Sequence, residues 1–593
     1  MGQTGIFVFM KEVMQYLPAG TVRLHGVMGE RLEQILRNRL LKINFRHLVD
    51  PFRFRNETDG KWRCEFWGKI VISAADTYVL LPDPELKRIL QDTVRDMLST
   101  QTPDGNISSY PVEKQLSSWD IWGRKYVMLA LARYYESIEQ NPEIPGCLVK
   151  MLDNLLDQLG GRRLCEFGNH AGMAACSFLE ALPKLYEITG YGRFLEFAEQ
   201  IRISGCTADQ NIFDLAEQGK APSEIANGKA YEMTCCFLGL ADLSAVLDRP
   251  ELMTIVRKYY ETVRDREIFI TGGGGLLDQV GEYWGNGHDN QTRNDKGALG
   301  ETCVTVSWIH LCGAVLRLSG DPLAAEQMMH SACNALMGAM SPNARFWCHA
   351  NPTPLAGCSS KVPVWDQMAR QGVEPFDGHD CCLAQGPEGL AFAAKNVCLK
   401  TPDGIAINYY EPFSASFMNA DGARIDLEVE SDYPFHGTVK IRLGMERACS
   451  FSVRLLIPSW QSKPVEIRLN QEMITAEPGA YAEIGRTWRD GDELSFQLDF
   501  TMRQIFSSDG NYTACLSGPI LLSRDSVFGD LLLPVADGMK SEEMPIEPGL
   551  HCRLFHRLED GSGMCDYMSA GCTFRVGHLL NVWCPRKKKT RKK

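Results

Sequence analysis

Nothing in this chain of 593 residues approaches the run of about 20 apolar residues that a helical bilayer span needs, so a soluble body with no membrane partner is expected. A secretory leader is also missing. Residues 1–17 hold an apolar stretch of about five residues, with neither a basic leader nor a small-residue cleavage site, which points to a cytoplasmic location. Basic residues are in deficit, 62 against 74 acidic, and the formal charge of −12 excludes a nucleic-acid partner, because a polyanion requires a basic footprint. The exception is residues 586–593, seven basic residues around one threonine, which read as a disordered, solvated tail. Cysteine is plentiful, at 21, but scattered through a long chain without an export signal. Most of these thiols are therefore expected to be reduced, buried, small apolar side chains.

What is present is ordinary globular material, 44% hydrophobic and 23% charged, in a chain too long for one core. From about residue 30 to 400, apolar residues recur at three- and four-residue steps, as in segments 84–100, 124–139, 171–188 and 252–263. Breakers separate them at 142–146, 189–192, 248–250 and 319–322. Helical hairpins without a repeat of fixed period favour a closed α/α barrel, of the (α/α)6 type, over an open solenoid. After residue 403 the period changes to two, in 405–410, 425–430, 439–443, 453–457 and 494–500, which predicts short strands and a β-sandwich. The reading is thus a multidomain α+β chain: a barrel over residues 1–402, a sandwich over 403–530, a small additional β unit over 531–585 and the basic tail from 586.

The densest reactive segment spans residues 271–303. It opens on Thr271 and four glycines, continues through Gly281-Glu282-Tyr283-Trp284, and ends on Gly300-Glu301-Thr302-Cys303. The glycines do not make a phosphate loop, since the Walker lysine and the dinucleotide spacing are both missing. A flexible connection is the other reading. Glu301 and Cys303 stand two apart at an expected helix start, where both side chains can reach one ion, and Cys381-Cys382 adds an adjacent pair. Three thiolates and a carboxylate in fourfold coordination suit Zn2+ better than a hard cation. Neither half has zinc-finger spacing, so buried, inert cysteines remain the alternative on spacing alone.

Several segments in order resemble glycoside hydrolase family 127, the β-L-arabinofuranosidase family. They are Trp62 with Glu65-Phe66-Trp67-Gly68, residues 186–191, Thr271-Gly-Gly, Gly281-Glu282, Glu301-Thr302-Cys303, Cys381-Cys382 and Trp488-Arg-Asp-Gly-Asp-Glu-Leu, and the likeness runs from about residue 20 to 530. The resemblance implies an α/α barrel followed by β-sandwich units. It also implies a retaining, exo-acting glycosidase that releases a terminal L-arabinofuranose-like sugar from plant-glycan oligosaccharides. Cys381 would be the nucleophile and Glu282 the general acid/base, with zinc on Glu301, Cys303, Cys381 and Cys382. Glu282 is expected to be kept protonated by an apolar setting that includes Tyr283 and Trp284.

The chain also departs from the family pattern. Where members active on plain arabinofuranose place sugar-binding histidines, in segments such as Gly-His-Leu-Ile-Glu and Gly-His-Ala-Val-Arg, this chain has Gly123-Arg124-Lys125-Tyr126 and Gly228-Lys229-Ala230-Tyr231. If Arg124 or Lys125 and Lys229 face the cleft, they suit an anionic group, and an acidic branched sugar such as aceric acid from pectin becomes a candidate. The other reading pairs them internally, for example Lys229 with Glu232. His170 matches a family position for a sugar-binding histidine, and Trp119 and Asp120 offer a stacking face and a hydroxyl acceptor. Alternatives of other kinds are an unsaturated-uronide hydrolase or lyase on the same barrel, and a non-catalytic carbohydrate-binding protein with a structural zinc. The helical hairpins would also serve a homodimer.

Overall fold

A computed structural model describes residues 12–57, 63–275, 281–293, 298–353, 381–419, 421–571 and 579–588. Trp62, residues 378–380 before the cysteine pair and residues 589–593 of the basic run lie outside these. Twelve helical positions close into an (α/α)6 barrel. The inner ring runs Phe66–Leu80, Asp120–Ser137, the broken run Met173–Cys176 to Leu182–Thr189, Ala230–Val246, Thr302–Ser319 and Cys381–Lys395, and the last helix packs back on the first. Val27–Asn38, Pro84–Leu98, Glu143–Leu159, Arg193–Ser204, Pro250–Arg266 and Pro322–Ser331 lie outside them.

Sequence pattern decides which helix goes where. In Phe66–Leu80 every residue but Tyr78 and Val79 is buried, because an inner helix meets protein on all sides. Pro84–Leu98 buries Leu86, Leu90, Thr93, Val94 and Met97, one stripe at three- and four-residue spacing, and is capped by Asp83 with Pro84 behind it. Thr302–Ser319 is long and apolar enough by composition to cross a membrane, against the expectation from run length. It is instead a barrel stave, 78% buried in protein.

The last barrel helix ends at Lys395 and strands begin at Cys398. A five-stranded sheet and a seven-stranded sheet form the sandwich, and a nine-stranded sheet follows from Arg503 onwards. The N-terminal segment departs from the barrel assignment. Gln15–Tyr16 pairs with Cys398–Thr401, and Val22–Leu24 pairs with Phe413–Met418, so the chain starts in the sandwich before entering the barrel. Two-residue and three-residue strands carry too little periodicity to be seen in sequence. The basic run also differs from a plain tail at its start. Arg586 lies in the strand Cys584–Lys587, pairs with Asp537 at 2.7 Å and covers the Phe506 ring at 3.7 Å.

One sandwich residue ties the two parts together. Glu411, fully buried, accepts a hydrogen bond from the Met28 amide at 2.7 Å, at the start of Val27–Asn38. Burial outweighs the Met28 and Gly29 amides and pushes its carboxyl up to about 8. A raised carboxyl contributes stability that is complete below its unfolded value of 4.5 and is lost as pH rises through about 8. Glu411→Gln should therefore match the parent at pH 4.5 and be more stable at pH 8, by on the order of 3 kcal/mol. Thermal melts across this window check it. Parallel curves would sink it.

Candidate active site

The glycines of residues 272–281 are close-packing devices. Gly281 has φ +82°, and a Cβ there would stand 2.8 Å from the Glu301 amide and 2.9 Å from the Leu299 carbonyl. Gly275 would collide with Gly281 in the same way, and Gly274 lies against Gly300. Only glycine brings these backbones together, and their contact sets Glu282 beside Glu301. Gly281→Ala should cost on the order of 2 kcal/mol and at least about 100-fold in activity by displacing both carboxylates. Wild-type kinetics at an unchanged Tm would refute this.

A short hairpin adds a further group. Ala298–Glu301 pairs with Ala350–Thr353 in the register Glu301 to Ala350, and the Thr302 amide donates to the His349 carbonyl at 3.1 Å. His349 is thereby drawn beside Glu301. Cys303 is the second residue of Thr302–Ser319, and Cys381 and Cys382 open Cys381–Lys395, so two helix N-termini converge on the sulfurs and favour thiolate.

The ligand atoms of Glu301, Cys303, Cys381 and Cys382 all lie within 4.8 Å of one another, a cluster able to hold a metal ion. The Cys303 and Cys382 sulfurs are 3.4 Å apart and those of Cys381 and Cys382 3.9 Å. Glu301 Oε1 is 3.9 Å from Cys381 Sγ and 3.8 Å from Cys382 Sγ. Its other oxygen is buried without a hydrogen-bond partner. Cys303 and Cys382 are buried, whereas Cys381 is half-buried. The sulfurs are also unequal in charge. Hydrogen bonds from Cys303 and Cys382, helped by His349, outweigh burial and hold the Cys381 thiol far below its ordinary range, while burial pushes Cys303, Cys382 and the Glu301 carboxyl up.

Glu282 faces this cluster but not in the apolar setting expected for it. His349 Nε2 is 3.3 Å from Glu282 Oε1, and the Lys229 ammonium pairs directly with Oε2. Burial pushes the Glu282 carboxyl up, but His349 and Lys229 together outweigh it and leave the group below the ordinary carboxylate range. Lys229 arrives there because its residue bridges Tyr283 while the Ala230 amide donates to the Glu282 carbonyl at 3.1 Å. Its ammonium is also 4.0 Å from Glu232, the internal partner foreseen for it.

The other predicted sugar contacts divide. His170 lies 3.7 Å from Glu232, its ring 5.6 Å from Trp119 and 6.2 Å from Tyr283, so these residues share the rim with Lys229. Burial holds His170 below its ordinary pKa. Arg124, Lys125 and Asp120 do not face the cleft. Arg124 pairs with Asp120 at 2.7 Å and donates to Gln158 at 2.9 Å on the outer helix Glu143–Leu159, so it is turned into the barrel wall. Asp120 is occupied by that pair, by Ser108 and by the Leu116 amide. Lys125, fully buried, pairs with Glu180 at 3.1 Å and lies over the Trp122 ring at 4.0 Å. Buried cations need fixed partners, and the barrel wall supplies them.

Comparison with known proteins gives the geometry its context. Residues 22–395 match the family described as Beta-L-arabinofuranosidase, GH127 catalytic domain, and residues 404–500 match its middle domain. The chain belongs to glycoside hydrolase family 127. Two GH127 structures resemble it along nearly its whole length. One, a β-L-arabinofuranosidase from Geobacillus stearothermophilus T6, is 18% identical with a TM-score of 0.73, covering 95% of this chain and 100% of that one. The other, a GH127 β-arabinofuranosidase, is 17% identical with a TM-score of 0.78, covering 98% and 99%. No curated protein matches the chain significantly by sequence.

Within this GH127 site, sequence reasoning missed His349 and the pair Glu65 and Lys69. His349 follows Trp347-Cys348 in no recognisable motif, and only the hairpin register brings it in. Glu65 and Lys69 sit at a visible four-residue spacing, but as a helical ion pair they carry no mark of burial.

Proposed function

We propose that the protein is a retaining, exo-acting β-L-arabinofuranosidase that binds zinc through Glu301, Cys303, Cys381 and Cys382 and attacks the sugar with Cys381. The observation that carries this is the cluster's spacing. A tetrahedral zinc with sulfur at about 2.3 Å and oxygen at about 2.1 Å has S–S and S–O edges of roughly 3.6–3.8 Å. Four of the six distances between these ligand atoms run from 3.4 to 3.9 Å, all six are within 4.8 Å, and the second Glu301 oxygen is buried without a hydrogen-bond partner. Zinc bound there would keep the Cys381 sulfur ionised and oriented. Cys381, the member of the trio that is not fully buried, forms a bond to the anomeric carbon as the bond to the leaving oxygen breaks. Glu282 protonates that oxygen with a proton shared with His349 Nε2, then takes one from the water that releases the sugar.

A neutral furanose fits the pocket better than an acidic one. Arg124, Lys125 and Lys229 each already hold a carboxylate, and aceric acid would have to displace Glu282 or Glu232 from Lys229. The test is a screen of neutral β-L-arabinofuranosides beside pectic side-chain oligosaccharides, with the first-formed anomer read by NMR and bound metal by elemental analysis. Release of L-arabinose with retention from zinc-loaded protein is expected. Release of only an acidic sugar, an inverted product, or full activity without metal would overturn the reading.

A further inference from the structure

Lys69 is a cation buried where the proposed reaction makes no use of it. Its side chain is 1% exposed, on the inner helix Phe66–Leu80. The ammonium sits 3.1 Å from Glu65 Oε2 and 4.0 Å from Cys303 Sγ, and it faces the rings of Tyr231 at 4.7 Å, Tyr126 at 5.1 Å and Trp122 at 5.9 Å. Glu65 is itself fixed by the Trp122 indole N–H. Desolvating an ammonium this completely costs several kcal/mol, and a helix-surface ion pair would not require it.

The cluster above it supplies a reason. Three thiolates and one carboxylate around a divalent ion would carry a formal charge of +2 − 4 = −2, on ligands that are buried except for the half-buried Cys381. Such a charge is tolerated in low dielectric only beside a compensating cation. Lys229 stands on the Glu282 side and is committed to carboxylates there. Lys69 meets the cluster at the sulfur of Cys303, and the three aromatic faces hold its ammonium in place by cation–π attraction.

We infer that Lys69 is a positioning residue whose N–H···S contact with Cys303 offsets the negative charge of the metal–thiolate centre, so that the protein retains its ion tightly and keeps Cys303 as a fixed ligand while Cys381 reacts. The inference rests on the zinc reading. Glu65 orients Lys69 but adds negative charge of its own. Loss of the Glu65 carboxylate is therefore not expected to weaken metal binding as loss of the Lys69 ammonium does, a difference that a packing role would not produce.

The test measures zinc affinity of the full-length protein by competition with a chromophoric chelator, and records the thiolate-to-metal charge-transfer absorption of the cobalt(II) form. Lys69→Met should weaken zinc binding about 10- to 100-fold, as loss of a partner to a metal ligand does, and shift the cobalt band. Lys69→Arg should recover part of the affinity, and Glu65→Gln should leave it equal or tighter. Unchanged affinity and spectrum in Lys69→Met would overturn the inference. Equal weakening in Lys69→Met, Lys69→Arg and Glu65→Gln would overturn it in favour of packing. Failure of the parent protein to bind zinc would instead remove the metal reading beneath it.

Discussion

Replacing Cys381 by alanine should lower kcat by about 10⁴-fold or more, with the fold and sugar binding retained. The size follows from removing the group that forms the covalent bond, since the remaining site can bind and polarise the sugar but has nothing to attack with. Cys381→Ser should not rescue activity. A hydroxyl in that place lacks the low pKa that Cys303, Cys382 and His349 give the thiol. Cys303 and Cys382 are buried and Glu301 is 4% exposed, so none of the three can take over the attack. Steady-state rates and intact-mass detection of a sugar adduct on the parent but not on the variant decide the matter. Turnover within tenfold of the parent would point to a carboxylate or histidine route on the same barrel.

The second large effect belongs to Glu282. Glu282→Gln should reduce kcat/KM by on the order of 10³-fold for alkyl glycosides and far less for aryl glycosides with good leaving groups, because only the former need the proton. The same residue sets a pH dependence whose sign can be worked out. Despite burial, His349 and Lys229 hold the Glu282 carboxyl below the ordinary range, so its protonated fraction, and kcat/KM with it, falls as pH rises through that depressed value. Lys229→Met removes the ammonium paired with Glu282, raises the carboxyl and should move the falling limb to higher pH. A limb that stays put, or moves to lower pH, would remove Glu282 from the proton-donating role.

The fold class was legible because periodicity is a local signal. Steps of three and four along segments such as 84–100 and alternation along 425–430 report which face each element buries, and both are written residue by residue. Elements too short to show a period were not legible, and the two N-terminal strands that join the sandwich are the example. The rim was read unevenly for a related reason. Arg124, Lys125 and Lys229 look alike in sequence, yet one turns to an outer helix, one is sealed against Glu180 and one grips Glu282. A side chain's direction on a fully buried helix depends on its neighbours, and no amphipathic stripe exists there to reveal it.

The sequence by itself determined the chemical inventory, four thiol and carboxyl groups in two short segments with Glu282 close upstream, and the order of elements that would carry them. Tertiary structure alone decided the charges. It set His349 and Lys229 against Glu282, where an apolar pocket was expected, and slid Lys69 beneath Cys303. The physical reason is range. Hydrophobic pattern acts over a few neighbouring residues, whereas electrostatic environment is summed over whatever the closed barrel brings within a few ångströms, from segments as far apart in the chain as 69, 229, 303 and 349.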